Sequence, residues 1–286
     1  MAPAATAATT GGGPIALDRD LVIEADCADV LGRLPDGAFE LIYIDPPWGT
    51  GATRRQRRLT VTRDDSAERT GFGGHRYRSQ AGPELAYADR FDDYAGFLAP
   101  KLERARALLA PEGTLYVHLD YREAHYVKVA LDAIFGRDCF LNEIIWAYDY
   151  GAKPARRWPA KHDTILVYVR DRERHLFDAD AVEREPYMAP GLVGPDKAAR
   201  GKRPTDTWWH TIVATSGAER TGYPTQKPEG IVRRMVAASS RPGGWCLDFF
   251  AGSGTLGAVC EQLGRRYVLV DSNPQAIAVI RARLGH

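Results

Sequence analysis

Residues 41–48 read LIYIDPPW, in which four apolar residues are followed by a carboxylate, two prolines and an indole. A short apolar run that ends in turn signals predicts a buried β-strand. The prolines end the strand, because they cannot donate a ladder hydrogen bond and they fix φ. We therefore expect Asp45 at the carboxyl end of a buried strand, next to the aromatic Trp48. In an open α/β sheet, ligands bind at that edge.

Composition places the chain among ordinary globular proteins. Its 286 residues are 44% hydrophobic and 26% charged, and the net charge is +1. Any contact with nucleic acid would therefore come from local basic surface. The four cysteines show no C-x-x-C pairing, which fits a reducing compartment. The histidines are scattered and form no H-E-x-x-H motif, so the sequence predicts no metal site.

Strand and helix patterns alternate along most of the chain, which predicts an α/β fold with a doubly wound sheet. Seven strands are predicted, near residues 22, 42, 116, 143, 166, 247 and 269. Helical spacing is found at 91–109, which contains Pro100, and at 122–135. The strands near 143 and 166 have a short connection, which allows an antiparallel pair at the edge of the sheet.

Three segments interrupt the alternation. Residues 1–16 are rich in Ala, Thr, Gly and Pro and are interpreted as a disordered tail. Residues 49–88 show no periodic pattern and are interpreted as a mobile basic loop that closes on nucleic-acid phosphates, with a merely solvated loop as the alternative. The loop's candidate contacts are Arg54, Arg55, Arg57, Arg58 and Arg76. Residues 171–222 are interpreted as an inserted recognition region, or alternatively as an irregular covering of the sheet edge.

A glycine motif lies near the other end of the chain. Gly252, Gly254 and Gly257 follow a predicted strand and open a predicted helix, and Asp271 ends the next strand. This is the dinucleotide fingerprint, which alone would suggest an NAD-linked oxidoreductase. Only one helix remains after Asp271, so a second mononucleotide half is missing unless the earlier strands supply it. Those strands carry the Asp45 motif, so S-adenosylmethionine and a base fit the sequence better than NAD.

The order of these motifs resembles the β group of DNA amino-methyltransferases. In that family the D-P-P-aromatic motif comes first, the recognition region follows, and the F-x-G-x-G cofactor motif comes last. The corresponding segments here are residues 45–48, 171–222 and 250–254, and TQKP at 225–228 looks like the family's lead-in to the cofactor site. Trp48 departs from the usual Tyr or Phe but keeps a stacking face. Cytosine-N4 members typically have Ser in place of Asp45, so adenine N6 is favoured, while cytosine N4 or an RNA base stays open.

The resemblance implies the fold, cofactor and partners. It implies a Rossmann-like, seven-stranded methyltransferase sheet with an inserted target-recognition region. Residues 17–170 would form the catalytic half, and residues 223–286 the half that binds S-adenosylmethionine. Double-stranded DNA would be the partner, in the bacterial cytoplasm at the nucleoid, and a homodimer is allowed. A binding module that keeps the fold without catalysis is the other alternative, which the intact Asp45 motif disfavours.

The resemblance also implies a role for each site residue. Asp45 and the carbonyl of Pro46 would accept the amino hydrogens of a flipped adenine, while Trp48 stacks on the base. Asp271 would hold the ribose hydroxyls, and Asp26 and Cys27 the adenine amine of the donor, although a capping role for Asp26 is a close alternative. The implied catalytic residues are Asp45, Pro46, Pro47 and Trp48. The implied cofactor residues are Asp26, Cys27, Asp45, Thr225, Gln226, Lys227, Asp248, Phe249, Phe250, Ala251, Gly252, Ser253, Gly254, Thr255 and Asp271, with Lys227 and its two predecessors neutralising the donor's carboxylate.

Overall fold

The computed structural model describes residues 12–48, 93–151, 154–214 and 217–285, together with the backbone of strands at 5–6, 52–63 and 77–89. The chain divides into two compact units. One contains residues 1–46 and 93–286, and the other contains residues 47–92.

The larger unit alternates strands and helices. Its strands are β1 (Ala5–Thr6), β2 (Leu21–Glu24), β3 (Phe39–Ile44), β6 (Leu109–Leu119), β7 (Phe140–Ala147), β8 (His162–Val169), β9 (Thr207–Trp209), β10 (Trp245–Asp248) and β11 (Arg266–Asp271). Its helices are α1 (Cys27–Leu31), α2 (Tyr94–Leu108), α3 (Ala124–Phe135), α4 (Pro195–Arg200), α5 (Glu229–Ser239), α6 (Thr255–Leu263) and α7 (Pro274–Leu284). Short 3₁₀ turns lie at Arg137–Cys139 and Pro190–Leu192. The smaller unit contains β4 (Ala52–Arg63) and β5 (Tyr77–Asp89).

One sheet organises the larger unit, in the order β1-β2-β11-β10-β3-β6-β8-β7-β9. From β1 to β6 all neighbours are parallel. Strand β8 is antiparallel to both β6 and β7, as the short β7–β8 connection allowed. All seven predicted strands are present, and the fold class is confirmed. The short strands β1 and β9 extend the sheet to nine.

Helices cover both faces of this sheet, as expected where strands are parallel and buried. Leu41, Ile42 and Ile44 of β3 are completely buried. A hydrophobic cluster joins Leu41 and Tyr43 to residues of α5, α6 and α7. On another part of the sheet, α3 packs through Phe135, whose ring centroid lies 5.5 Å from that of Tyr168.

The predicted helix boundaries near β6 need correction. The helix predicted at 91–109 is α2, which includes Pro100 and ends at Leu108. Residues 109–113 belong to β6, which therefore begins well before the strand predicted near residue 116. A glycine is needed at position 113 because β6 packs closely against β3 there. A Cβ at Gly113 would lie 2.7 Å from the carbonyl oxygen of Phe39. The helix predicted at 122–135 begins later, at Ala124, because Asp120 accepts the backbone N–H of Arg122 in a turn.

The segment predicted as a loop without secondary structure contains two antiparallel strands. Strands β4 and β5 pair from Ala52 opposite Asp89 to Arg63 opposite Tyr77, with one register shift. The prediction of a patternless loop was wrong for this backbone. Alternation of apolar and polar residues reveals a strand that buries one face. A two-stranded ribbon can form through backbone hydrogen bonds alone, so its sequence need not show this alternation. The side chains proposed to contact phosphates, those of Arg54, Arg55, Arg57, Arg58 and Arg76, lie outside the described residues.

The last residues of the predicted disordered tail, residues 1–16, are held by contacts with the rest of the larger unit. Ile15 is buried, and its N–H donates to the carbonyl of Arg33 at 2.9 Å. The Arg33 side chain donates in return to the carbonyl of Gly13 at 2.8 Å. These reciprocal bonds fix the end of the segment. Ala5–Thr6 also pairs with β2, and the rest of the tail lies outside the described residues.

Residues 171–222 belong to the larger unit and partly extend its sheet. Strand β9 pairs with β7, and Trp208 within it is 6% exposed. Farther back, the N–H of Asp178 donates to the carbonyl of Ala238 at the end of α5. This arrangement corresponds to the alternative of a covering at the sheet edge. A role in target recognition stays a prediction. Among the helices described here, none combines the length and apolar character that crossing a membrane requires.

Candidate active site

Asp45 lies where the sequence predicted, directly after β3 at the carboxyl edge of the parallel strands. Its side chain is 17% exposed, and Pro46 after it is buried. Strand β10 is the parallel neighbour of β3, so the segment after Asp248 emerges beside Asp45. The strands that end at the two motifs are therefore adjacent, as predicted. Pro47 and Trp48 begin the smaller unit, and Trp48 is half-buried in the chain as a whole.

Lys227 lies between two carboxylates. Its Nζ is 3.2 Å from Oδ1 of Asp45 and 3.7 Å from Oδ2 of Asp163, and its side chain is 9% exposed. The same Nζ lies 5.9 Å from the ring centroid of Trp146, within reach of a cation–π interaction. The sequence assigned Lys227 to the carboxylate of a cofactor. The structure places Lys227 at the predicted catalytic carboxylate. A contact between Lys227 and the carboxylate of a cofactor stays a prediction.

Further polar side chains contact Asp163, one of the two carboxylates beside this lysine. Nε2 of the fully buried His118 is 3.0 Å from Oδ2 of Asp163, and Nδ1 is 3.1 Å from the hydroxyl of Tyr43. The Tyr148 hydroxyl donates to Oδ1 of Asp163 at 2.9 Å. These hydrogen bonds are compatible with a His118 ring in which Nδ1 accepts from the Tyr43 hydroxyl and the Nε2–H donates to Asp163. We call Asp45, His118, Asp163 and Lys227 the active-site cluster.

The electrostatics of the active-site cluster favour an ionised Asp163. Burial alone would raise the pKa of its carboxyl. The hydrogen bond from His118 and the charge of Lys227 outweigh burial and hold that pKa below its ordinary value. Burial and the nearby Asp163 raise the pKa of Tyr148, so its hydroxyl keeps the proton that it donates.

Sequence reasoning gave no role to His118, Asp163 or the tyrosines around them. A signal was present, because His118 interrupts the apolar strand LYVHL and Asp163 opens the apolar strand DTILVYV. Both polar residues occupy strand positions that the pattern predicts to be buried. A buried polar group needs a partner, but a sequence does not say which one.

The glycine motif forms a loop between β10 and α6. Gly252 and Gly254 have positive φ values of 50° and 71°. A Cβ at Gly254 would lie 2.9 Å from Cγ1 of Ile280, so the backbone there has room for glycine alone. Gly257 serves packing, since its Cβ would lie 2.7 Å from the Leu269 side chain on β11. The first two glycines therefore shape the loop, and the third lets α6 approach the sheet.

Two carboxylates flank this loop. Asp271 accepts the N–H of Gly252 and that of Asn273, both at 2.8 Å, and so ties the end of β11 to the glycines. Burial raises its pKa even though these two bonds lower it. Asp248 is 3% exposed and accepts the N–H of Phe250 at 3.0 Å. Burial, with repulsion from Asp45 and Asp271, raises the pKa of Asp248 well above its ordinary value.

The segment before α5 lies against the glycine loop, as predicted. The Thr255 hydroxyl donates to the carbonyl of Lys227 at 3.1 Å. A Cβ at Gly252 would lie 3.3 Å from the Tyr223 ring. Gln226 binds within its own segment, because its amide accepts from Thr221 and donates to the carbonyl of Glu219. Thr225 is exposed.

The remaining predicted cofactor residues fall into two groups. Around the loop, Phe249, Ala251, Ser253 and Thr255 are buried, and Phe250 is half-buried. After β2, the exposed Asp26 caps α1 by accepting the N–H of Ala28 at 2.8 Å, which is the capping role weighed as the alternative. Burial raises the pKa of Cys27 to about 12, so its side chain is a neutral thiol. Strand β11 separates this group from β10.

Comparison with known proteins gives consistent matches. A family model described as DNA methylase, for N6 and N4 methyltransferases, matches residues 39–282. The Type II methyltransferase M.HpaI of Haemophilus parainfluenzae is 28% identical over 268 residues, which cover 94% of this chain and 74% of that protein. The DNA adenine methyltransferase YhdJ of Escherichia coli is 26% identical over 271 residues, with coverage of 92% and 82%.

Solved structures agree on the fold. The M1.HpyAVI–SAM complex superposes with a TM-score of 0.59 at 19% identity and covers 93% of this chain and 98% of that one. The cytosine-N4-specific PvuII DNA methyltransferase superposes with a TM-score of 0.64 at 13% identity, with coverage of 92% and 85%. The family match spans both the Asp45 motif and the glycine motif, which decides against an NAD-linked oxidoreductase. It confirms the resemblance read from the motif order: the chain belongs to the N6/N4 DNA methylase family.

Proposed function

We propose that this DNA methylase transfers a methyl group from S-adenosylmethionine to the exocyclic N6 of an adenine flipped out of double-stranded DNA. One observation carries the proposal: Asp45 and the glycine loop emerge from adjacent parallel strands, with Leu41 opposite Cys246 and Ile42 opposite Leu247. The carboxylate that would hold the adenine amine is then next to the loop that would hold S-adenosylmethionine. Direct transfer of the methyl group requires this arrangement.

The residues of the loop fit the proposed donor. Gly252 is half-buried, and its positive φ and missing side chain would let a ligand approach the loop backbone closely. Gly254 is buried against Ile280 and shapes the loop from the inside. Asp271 uses one lone pair of each oxygen for a backbone N–H. A carboxylate has about four acceptor sites, so Asp271 retains capacity for ribose hydroxyls. When bound, the donor supplies an electrophilic methyl group on a sulfonium.

The chain's own contribution is to orient the acceptor nitrogen. The lone pair of an adenine amine is delocalised into the ring, which makes the nitrogen a poor nucleophile. Asp45 and the carbonyl of Pro46 would accept the two amino hydrogens and turn that lone pair toward the methyl group. As the new N–C bond forms and the S–C bond breaks, positive charge develops on the nitrogen, and the Asp45 carboxylate stabilises it. The amine then loses one N–H proton, to Asp45 or to water.

Adenine is favoured over cytosine by two observations. Asp45 stands where the resemblance places Ser in most cytosine-N4 enzymes. One of the relatives, YhdJ, is named a DNA adenine methyltransferase. The structural likeness to a cytosine-N4 enzyme supports the shared fold alone.

Sequence-based contacts complete the proposal. The basic residues of 49–88 would hold DNA phosphates, because neutralised phosphates supply most sequence-independent affinity. Residues 171–222 would contact the target sequence, and Trp48 would stack on the flipped base. Such a substrate would place the protein's action in the bacterial cytoplasm, at the nucleoid.

The test is transfer of tritiated methyl groups to unmethylated DNA, followed by digestion to nucleosides. We expect label in N6-methyladenine. We also expect Asp45→Ala to lower the rate by about 10²–10³-fold or more, because it removes the group aimed at the developing charge. Calorimetric affinity for S-adenosylmethionine should change little. Label in N4-methylcytosine would overturn the choice of base, and a fully active Asp45→Ala would overturn the mechanism.

A further inference from the structure

We propose that Asp163 is a positioning residue for methyl transfer, which holds the Lys227 ammonium and through it fixes the orientation of the Asp45 carboxylate. This inference rests on the proposed function and deepens it. Asp163 is not expected to touch either substrate, since it is 3% exposed and reaches Asp45 through the lysine.

The contacts form a circuit that begins on β3 and ends at Asp45, the residue directly after that strand. Tyr43 of β3 contacts His118 of β6, and His118 contacts Asp163 of β8. Asp163 faces Lys227, and Lys227 pairs with Asp45, two residues after Tyr43. Strands β3, β6 and β8 are consecutive in the sheet. The circuit therefore ties the catalytic carboxylate to the rigid middle of the sheet and not only to its own turn.

Three groups from different parts of the chain anchor Asp163. One oxygen accepts from Tyr148 at 2.9 Å, and the other contacts His118 at 3.0 Å and the Lys227 ammonium at 3.7 Å. It lies opposite Trp146 in the β7–β8 register. Lysine, by contrast, carries a compact charge on a flexible stem. The fixed carboxylate therefore determines where the flexible ammonium sits, and the ammonium determines where Asp45 points.

The alternative is that the active-site cluster serves stability alone. Burying charges is expensive, and apolar replacements of a buried ion pair are often equally stable. A buried cluster that adjoins a reactive carboxylate is thus a candidate for function. The two explanations differ in their consequences. A structural role lowers stability, whereas a positioning role lowers the turnover of folded enzyme.

The chain offers a matched control on a helix that packs against the same strand. Asp132 of α3 accepts from the Lys128 ammonium and, at 2.7 Å, from the Tyr168 hydroxyl. We call Lys128, Asp132 and Tyr168 the helix cluster. It repeats the carboxylate, lysine and tyrosine of the active site. Tyr168 and Asp163 are five residues apart on β8, so their side chains point to opposite faces of the sheet.

The experiment compares Asp163→Asn with Asp132→Asn in the full-length protein. Asparagine keeps the shape and removes the charge. We expect Asp163→Asn to lower kcat by about 10²-fold, the size of effect that a displacement near 1 Å produces. KM for DNA and the affinity for S-adenosylmethionine should stay within about twofold, because neither ligand is held by Asp163. Asp132→Asn should retain the wild-type kcat, measured at a temperature where both variants are folded.

A double variant tests the route through the lysine. If Asp163 acts through Lys227, adding Asp163→Asn to Lys227→Met should lower kcat no further than Lys227→Met alone. Independent effects that multiply would overturn the route. If Asp163→Asn does not fold, Tyr148→Phe replaces it, because it removes one hydrogen bond to Asp163 and leaves the charge in place.

The outcomes separate this inference from the proposed function. Wild-type protein that transfers no methyl group to DNA would overturn the proposed function. Active wild-type protein with an equally active, folded Asp163→Asn variant would overturn the positioning role alone. A fall in kcat that Asp132→Asn shares would also overturn it, since the effect would then follow the loss of any carboxylate that pairs with a lysine and a tyrosine.

Discussion

The active-site cluster and the helix cluster use the same chemistry in different surroundings. In each, a carboxylate accepts from a tyrosine and faces a lysine. In the helix cluster the two charged residues are four positions apart on α3, and the lysine side chain is 27% exposed. In the active-site cluster the lysine is 9% exposed and its two carboxylates come from distant parts of the sequence.

This difference separates a local ion pair from a tertiary one. A pair four residues apart on a helix forms wherever the helix forms, and it stabilises the helix by only a few tenths of a kcal/mol. A buried cluster assembled from several strands exists only once the sheet is complete. When one partner is lost, water cannot hydrate the charge that remains. Removing a partner from the buried cluster therefore costs more stability than removing one from the helix pair.

The largest expected effect is the loss of the buried lysine. Lys227→Met should lower the free energy of unfolding by about 3–5 kcal/mol, because it removes a buried ammonium that two carboxylates face. Lys128→Met should lower it by no more than about 1 kcal/mol, since the helix pair is partly hydrated. Urea unfolding of both variants and the wild type would measure the contrast. Equal losses would show that burial does not distinguish the clusters.

An intermediate effect is expected from the tyrosine hydroxyls. Tyr148→Phe and Tyr168→Phe each remove a hydrogen bond to a carboxylate, which stabilises a folded protein by about 1.5–3 kcal/mol. Both variants should therefore be less stable in thermal unfolding. Turnover should separate them, because Tyr148 contacts Asp163 whereas Tyr168 contacts Asp132. We expect a reduced kcat for Tyr148→Phe only, and a reduced kcat for Tyr168→Phe would contradict the comparison.

The smallest expected effect concerns acid stability. Burial tends to raise the pKa of Asp163, but His118 and Lys227 lower it overall, and Lys128 and Tyr168 likewise lower the pKa of Asp132. A carboxyl whose pKa is lower in the folded state contributes stability above pH about 4, which is lost as the pH falls through the folded pKa.

Asp163→Asn should therefore make stability less dependent on pH in the acid range, by at most about 1.4 kcal/mol per pH unit. Asp248, whose pKa is raised, titrates in the opposite sense but is common to both proteins, so it cancels in the comparison. Urea unfolding at several pH values between about 3 and 6 would measure the slopes. A steeper acid slope for the variant would show that the sign is wrong.

Much of the architecture was predictable because its signals are local. The apolar run ending at Asp45 and the glycines after Asp248 fix two strand ends, and each was placed correctly from its own residues. Alternation of patterns predicted the seven strands of the sheet that are four residues or longer, and motif order indicated the family. The ribbon β4–β5 was missed, because its sequence lacks the alternation of apolar and polar residues by which a strand with a buried face is recognised.

The sequence by itself determined which chemistry was available: an acidic turn after a buried strand and a glycine loop after another. Only the tertiary structure decided how these groups were combined. It placed Lys227 beside the Asp45 carboxylate, and it brought in His118 and Asp163, to which no spacing in the sequence had pointed. The physical reason is that the order of strands in the sheet, and not their order along the sequence, decides which strand ends are neighbours. A buried charge finds its partner among the residues at those neighbouring ends.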